Sequence, residues 1–380
     1  MLSSLARTAV RASSRRFSSQ TSGGAGSTFG SLVAIVAAGG VGFVYAQAQE
    51  TEKKVSGLQK EVDSLEIALA GKTNSAFVFI KPHACKGTPG KVEELVEDSF
   101  RSAGIRVTGN GTMTAEEIDQ NMYIDTHYGA IASKAVKLKP SELNVPDKGK
   151  AEFLETFGES WDDAVAAGKV FNAQDGAAKL GVDGAGLDQK WSKLQKKGKN
   201  KNLLKFGGGF YCGQVDGIYI MNGFYMSMRS AYTAPGEKIQ WYTVSWPADS
   251  LTWEDFRGKV LGATDPSAAP QGSIRRAILD NYKTLGLESK PNTGDNGVHA
   301  SASPFEAMAE RANWLGQDIK TDSFGRAAVK VASVDDLQKW SGDAQVTVEG
   351  ETEEGKTTSV FDALEDLNAD EVLAKLARIH

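Results

Sequence analysis

The apolar run at residues 76–80 is the feature that most constrains what this chain can fold into. Its five consecutive apolar residues, Ala-Phe-Val-Phe-Ile, leave neither face of a strand polar, which is typical of a buried strand. Lys81-Pro82 follows and ends the strand, because proline cannot donate a ladder hydrogen bond. A compact domain is therefore expected to begin near Ser75.

The cysteine count and the net charge limit how this domain can be stabilised and what it is expected to bind. Only two cysteines, Cys85 and Cys212, occur in the 380 residues, so neither a disulfide framework nor a cysteine–zinc cluster can be built. The formal net charge of −5 gives no reason to expect nucleic-acid binding. The length allows one substantial core with appendages, or two modest domains.

The N-terminus differs in composition from the rest of the chain. Residues 1–28 contain four arginines, many serines and no acidic residue. An N-terminus that is rich in Arg and Ser and free of acids is typical of a mitochondrial transit peptide. We therefore predict a transit peptide over 1–28, with processing near 15–19. A disordered tail is the alternative.

An uncharged segment follows over residues 29–49, with its apolar part at 32–46. Its length is at the short limit for crossing a bilayer, and its glycines would allow close approach of another helix. We predict a single-pass anchor in the mitochondrial inner membrane. A flexible apolar linker or an extended targeting signal is the alternative. The predicted anchor is compatible with a domain on either side of the membrane.

A short heptad pattern occupies the predicted stalk, residues 50–72. Its apolar residues step by 3, 4 and 3, with lysines and glutamates between them: Val55, Leu58, Val62 and Leu65. Two heptads do not specify an oligomer. The stalk helix is therefore expected either to pair with another helix or to lie along the domain.

Strand and helix patterns alternate through the body of the chain. Apolar residues at helical spacing over 92–100 predict a helix, and alternation over 105–112 predicts a second strand. Thr114-Ala115-Glu116-Glu117 is a capping box, which should begin a helix running to about Tyr128. The next clear strand is the run of β-branched and aromatic residues at 239–246.

Two further segments have no catalytic pattern. An insertion at about 133–236 is expected to be mostly helical, and the acidic extension 317–380 to hold helices at 333–340 and 359–379. The insertion carries a lysine run, predicted to be a solvated loop, with binding to anionic lipid head groups or to a nucleotide tail as the alternative. Its members are Lys190, Lys193, Lys196, Lys197, Lys199, Lys201 and Lys205.

Three separated segments carry a common signature. They are Phe79-Ile80-Lys81-Pro82, residues 258–266 continued by Gly272-Ser273-Ile274-Arg275, and Asn296-Gly297-Val298-His299-Ala300-Ser301. In this order they resemble the nucleoside diphosphate kinase family. The second is similar to its G-x-T-x-P and P-G-T-I-R patterns, and the third to the N-x-x-H-x-S around its phosphorylated histidine. The resemblance covers residues 75–128 and about 220–315, inside a kinase-like domain at 73–316.

The resemblance implies an α+β fold, a ferredoxin-like βαββαβ sandwich. It implies a phosphotransferase that moves the γ-phosphate of ATP to a nucleoside diphosphate through His299, oriented by Glu310 with the support of Ser301. A neutral imidazole suits this role because it offers a lone pair. For the nucleotide it implies Mg²⁺ on the phosphates and six contacts: Lys81, Tyr128, Lys259, Thr264, Arg275 and Asn296.

The chain also departs from the family pattern. Lys259 stands where the family usually has an arginine, which keeps the charge but loses the bidentate fork. Met221 is the candidate replacement for the aromatic that stacks on the base, and His83 follows Lys-Pro where an acid is usual. Between Arg275 and Asn296 there are 20 residues, about twice the family's spacing. The insertion is expected to adjoin the nucleotide cleft. It is therefore expected to affect the affinity for the base and the quaternary structure.

One residue choice and three functions stay open. Tyr123 competes with Tyr128 for the tyrosine role, whereas His83, His127 and His380 lack surroundings like those of His299. The chain is expected to be an active kinase, a non-catalytic kinase-fold subunit of an inner-membrane complex, or a nucleotide sensor. Its expected partners are ATP, nucleoside diphosphates, and either a homo-oligomer or that complex.

Overall fold

The computed structural model describes residues 27–207, 209–353 and 355–380, and only the backbone of 27–48. The predicted transit peptide over 1–28 thus lies almost wholly outside the described residues, as do the side chains of most of the predicted anchor. The chain divides into two units, Met1–Leu65 and Glu66–His380. Within the described residues, no helix is both long and apolar enough to cross a bilayer.

Helix α1 (Ser27–Gly71) includes the predicted stalk. The four apolar residues of its heptad seam are 47–69% exposed: Val55, Leu58, Val62 and Leu65. The seam therefore lies on an exposed face of the helix.

The strands of the described chain are named in chain order. They are β1 (Thr73–Ile80), β2 (Arg106–Thr114), β3 (Val170–Asn172), β4 (Leu203–Gly207), β5 (Phe210–Val215), β6 (Ile218–Met221), β7 (Lys238–Pro247), β8 (Val298–Ala300), β9 (Gln345–Val346) and β10 (Thr358–Ser359).

The first sheet has the order β2–β7–β1–β8, with antiparallel neighbours throughout. Helix α2 (Lys91–Ser102) connects β1 to β2, and helix α3 (Ile274–Asn281) lies between β7 and β8. With the insertion set aside, the chain order is βαββαβ. This order and this strand arrangement are those of a ferredoxin-like α+β sandwich.

Strand β1 is covered on both faces, as the apolar run predicts. Residues 76–80 are all 0% exposed. Ala76, Val78 and Ile80 pack with the core that contains α2 and α3, while Phe77 and Phe79 face Trp314 of helix α4 (Pro304–Leu315). Because β1 is buried on both faces, helices α2 and α3 pack on one side of it and helix α4 packs on the other.

The helix predicted to reach Tyr128 is interrupted. The capping box of Thr114 and Glu117 is present, but the helix ends at Gln120, and a new one spans Tyr123–His127. Met122 separates them with a φ of 54°, in the left-handed region. This break turns the second helix and so changes which side chains face the sheet.

The insertion is not only helical, because it contains a second sheet with the order β3–β6–β5–β4. These strands have three to six residues each and glycines nearby, so they give a weak sequence signal. The helices around them are Gly129–Ala132, Ser133–Lys137 (a π-helix), Pro140–Glu142 (3₁₀), Asp147–Phe157, Trp161–Ala166, Ala173–Leu180, Gly184–Trp191 and Tyr225–Thr233.

The C-terminal extension packs onto the domain of residues 73–316. Its helices are Gly325–Val331, Val334–Trp340, Val360–Leu364 and Ala369–Leu376. The single helix predicted over 359–379 is thus two shorter helices. Asn368 accepts hydrogen bonds from the Asn74 amide and the Trp253 backbone N–H, each at 2.9 Å. The extension is thereby tied to the start of β1.

A buried ion pair also joins the extension to α4. Arg311 and Asp322 are 2% and 1% exposed, and two N–H groups of the guanidinium donate to the carboxylate at 2.6 and 3.0 Å. Arg311→Met would leave the carboxylate buried without its cation. We expect the free energy of unfolding in urea to fall by about 3 kcal/mol.

The matched control is Arg101→Met, which removes an exposed ion pair with Asp98. Such pairs contribute at most about 1 kcal/mol. Equal losses in the two variants would contradict the stabilising role of the buried pair.

Candidate active site

His299 lies on β8 at the edge of the first sheet, where it pairs with Phe79 of β1. Its imidazole stacks on the Phe79 ring, with centroids 4.6 Å apart and 27° between the planes. The side chain is 19% exposed. The ring is thus held by packing and still accessible from one side.

Glu310 holds the imidazole from helix α4. This helix is capped by Ser303, whose hydroxyl accepts an N–H of the first turn. Glu310 is 5% exposed, and its Oε1 lies 2.6 Å from Nε2 of His299. The Ser301 hydroxyl donates to Oε2 and accepts from the Phe77 backbone N–H. A carboxylate held in this way favours the proton on Nε2 and leaves the lone pair on Nδ1.

Burial and nearby cations set the charge of this pair. Burial, followed by the charges of Lys81 and Arg275, lowers the pKa of His299 well below its ordinary 6.5. Burial raises the pKa of Glu310 to about 7. The imidazole is therefore neutral at physiological pH, which is the form that can act as a nucleophile.

A cavity of about 610 Å³ opens on one side of His299. Five of the nine predicted site residues line it: Lys81, Thr264, Arg275, Asn296 and His299. Glu310 and Ser301 lie behind the imidazole. The three sequence segments that carry the resemblance therefore meet at one cavity.

Two cations of the cavity are held by backbone carbonyls. The Lys81 ammonium donates to Gly294 O at 3.0 Å, and Arg275 donates to Gly262 O at 2.8 Å and to Val298 O at 3.1 Å. Burial, then the Arg275 charge, lowers the pKa of Lys81 to about 8. The Arg275 contacts fix the loop before α3 against β8, so this side chain also builds the cavity wall.

Asn296 presents an unused acceptor. Its amide donates to Thr264 O at 3.0 Å, while its Oδ1 is buried and has no hydrogen-bond partner in the described chain. Gly297 beside it has a φ of 92°, and a Cβ there would lie 2.6 Å from Ile278. The backbone before β8 thus requires glycine, and it holds Asn296 at the cavity.

Lys259 does not line the cavity. Its side chain is 72% exposed and pairs with Asp255 at 2.8 Å. The π-helical turn Phe256–Leu261 instead directs Arg257 to the cavity. The lysine was expected from its place in the motif, but the wider π-turn changes which cation faces inward.

The two candidate tyrosines and the candidate base-stacking residue also lie elsewhere. Tyr128 packs beside His127 and is hydrogen-bonded to Tyr232, and burial raises the pKa of its hydroxyl. Tyr123 packs on Trp314. Met221 is fully buried in the core of the insertion. None of the three lines the described cavity.

His127 lies beside His299, so the expectation that it lacks surroundings like those of His299 is wrong. Its ring centroid lies 4.7 Å from that of His299, nearly perpendicular at 86°. Its Nδ1 is 3.3 Å from Oε1 of Glu310, and its side chain is 6% exposed. Burial, then the His299 charge, lowers its pKa to about 3. The helix break at Met122 explains why the expectation of one continuous helix missed it.

Carboxylates line the cavity together with the cations. Glu254, Glu306, Glu365 and Asp366 are the four, and the last two belong to the C-terminal extension. Both bind Nη1 of Arg257, at 2.7 and 2.6 Å. Asp366 has a φ of 63°, a left-handed conformation that costs free energy in a non-glycine residue. Two carboxylates of the extension therefore pair with a guanidinium that lines the cavity.

Comparison with known proteins finds similar solved structures, among them two nucleoside diphosphate kinases. Neither a protein-family model nor a curated protein sequence matches the chain. A nucleoside diphosphate kinase from Encephalitozoon cuniculi is 16% identical, with 64% of this chain and 90% of that one covered and a TM-score of 0.30. An NDP kinase from Pyrobaculum aerophilum is 16% identical, with 64% and 95% covered and a TM-score of 0.28.

The lowered histidine pKa values predict an unusual titration. Between pH 8 and pH 5.5, His299 and His127 should stay neutral, because burial disfavours their charged forms. At pH 8, where Glu310 is mostly ionised, long-range ¹H–¹⁵N NMR should show His299 with its proton on Nε2. In urea-unfolded protein both should titrate near pH 6.5. Protonation of His299 above pH 6 in the folded chain would contradict this electrostatic picture.

Proposed function

We propose that this chain is a phosphotransferase of the nucleoside diphosphate kinase type. It moves the γ-phosphate of ATP to a nucleoside diphosphate through phospho-His299. One observation carries the proposal: a neutral histidine, tied at Nε2 to a buried carboxylate, lies on a cavity lined by Lys81, Arg275, Thr264 and Asn296. The sequence motifs supply the same residues independently.

The reaction has two displacements at phosphorus. In the first, the Nδ1 lone pair of His299 forms a bond to the γ-phosphorus of ATP, the bond to the bridging oxygen breaks, and ADP leaves. Glu310 stabilises the positive charge that the ring acquires, through the hydrogen bond at Nε2. In the second, a terminal oxygen of the acceptor diphosphate displaces the phosphate from Nδ1 and restores the neutral ring.

The cavity cations stabilise the transferring group. Phosphoryl transfer has a loose transition state with charge on the equatorial oxygens, so positioned donors supply most of the catalysis. Lys81 and Arg275 offer that charge, Thr264 offers a hydroxyl, and the free Oδ1 of Asn296 can accept a sugar hydroxyl. Mg²⁺ would arrive with the nucleotide. The cavity's carboxylates are the hard oxygen donors that this ion prefers.

The proposal extends to the cellular setting on sequence grounds. The acid-free N-terminus supports import into mitochondria, and the uncharged segment 29–49 supports an anchor in the inner membrane. Protease protection in intact and swollen mitochondria would test this location and assign the side on which the domain lies.

The covalent intermediate provides the direct test. Incubating the protein with Mg²⁺ and γ-labelled ATP should give an acid-labile label, and His299→Ala should abolish it. His380→Ala, which changes an exposed histidine at the chain end, is the matched control and should label normally. Lys81→Met should slow labelling about 100-fold, since one lost donor typically costs ~3 kcal/mol. An unlabelled wild-type protein would exclude the proposed activity.

A non-catalytic kinase-fold subunit is the second candidate function. The observation in its favour is that Glu365 and Asp366 neutralise Arg257 inside the cavity. Such a lining opposes a bare triphosphate.

Freeing Arg257 separates the two functions. In Glu365→Gln/Asp366→Asn, asparagine tolerates the left-handed backbone, and Arg257 becomes available to phosphate. We expect calorimetry to show MgADP binding roughly tenfold tighter, as one regained charge-assisted hydrogen bond would give. Glu353→Gln, on an exposed part of the extension, should leave the affinity unchanged. If neither wild type nor the double variant binds MgADP, the non-catalytic function is favoured.

A further inference from the structure

His127, His299 and Glu310 bring three metal-ligating atoms together. One atom from each residue lies within 4.8 Å of the other two. The phosphotransferase proposal uses His299 and Glu310 but gives no role to His127. The side chains are 6%, 19% and 5% exposed, so a bound ion would be largely shielded from water.

We propose that His127, His299 and Glu310 form a binding site for a nitrogen-preferring divalent ion, of which Zn²⁺ fits best. The ligand atoms are His127 Nδ1, His299 Nε2 and Glu310 Oε1. We further infer that metal binding and phosphorylation of His299 exclude each other. This second part rests on the proposed phosphotransferase function, whereas the metal site itself does not.

The distances fit a tetrahedral ion after a small adjustment. Zinc bonds of 2.0–2.2 Å place neighbouring ligand atoms about 3.3 Å apart. His127 Nδ1 and Glu310 Oε1 already lie 3.3 Å apart. His299 Nε2 lies 2.6 Å from the same oxygen because a proton is shared there, and this contact must lengthen when the metal takes the place of the proton.

Ligand type and charge select the class of ion. Two imidazoles and one carboxylate are the ligands of many zinc sites, with one position left for water, whereas Mg²⁺ prefers oxygen. Glu306 lies one turn before Glu310 on α4, and a divalent ion at Glu310 offsets the repulsion between their carboxylates. Lys81 and Arg275 oppose the ion, but backbone carbonyls hold both.

Mutual exclusion follows from the tautomer of His299. In the metal-free site, Nε2 carries the proton and Nδ1 the lone pair. A metal on Nε2 displaces that proton to Nδ1, which then has no lone pair for the γ-phosphorus. The metal also takes Glu310 away from the ring.

Direct metal binding tests the site. Titrating the full-length chain with Zn²⁺ should show one high-affinity equivalent, and Co²⁺ in its place should give the visible absorption of a tetrahedral centre. His127→Gln should weaken Zn²⁺ binding at least roughly 100-fold. His83→Gln, a change at a mostly buried histidine that hydrogen-bonds to Gly297 N–H, should retain it. Unchanged affinity in His127→Gln, or the absence of a tetrahedral Co²⁺ spectrum in the wild type, would overturn the site.

The exclusion is tested by labelling with γ-labelled ATP and Mg²⁺. One equivalent of Zn²⁺ should suppress the label on the wild type, and a chelator should restore it. Full labelling of the zinc-loaded protein would overturn the exclusion. If metal-free wild type does not label at all, the phosphotransferase proposal fails, while the Zn²⁺ and Co²⁺ titrations still decide the metal site.

Discussion

The pairing of β8 with β1 is the constraint on which the rest of the site depends. β8 has only three residues, yet it sets His299 opposite Phe79. Two contacts fix its register: the Lys81 backbone N–H donates to Gly297 O at 2.9 Å, and Arg275 donates to Val298 O. A slip of one residue would turn the imidazole to the opposite face of the sheet. The residues that line the cavity therefore also hold His299 in register.

The charges around this strand are closely balanced. Cations and carboxylates line one cavity, and the imidazole beside them is kept neutral by burial as much as by its neighbours. A neutral ring can bind either a phosphoryl group at Nδ1 or a metal at Nε2. The same burial that keeps the ring neutral for the proposed phosphoryl transfer also shields the proposed metal site, in which His127 is the additional ligand.

Much of the fold and part of the site could be predicted from the sequence, for identifiable reasons. β1 was predictable because burial on both faces leaves a continuous apolar run, and the capping box marks one helix start by local chemistry. Lys259 and His127 were not, because a π-turn and a left-handed Met122 change the direction of side chains without altering the periodicity. The second sheet was missed because its short strands are stabilised by one another rather than by local preference.

The hydrogen bond between the side chains of Asn368 and Asn74 joins residues 294 positions apart. This separation affects when the domain can fold during synthesis. During synthesis, β1 leaves the ribosome long before the segment that caps it and that supplies Glu365 and Asp366 to the cavity. The unit that holds the imidazole can reach its final packing only after residues 365–368 emerge. A chain that stops before Asn368 would lose part of the fold as well as its acidic residues, and a nascent chain would expose the start of β1 until the segment around Asn368 emerges.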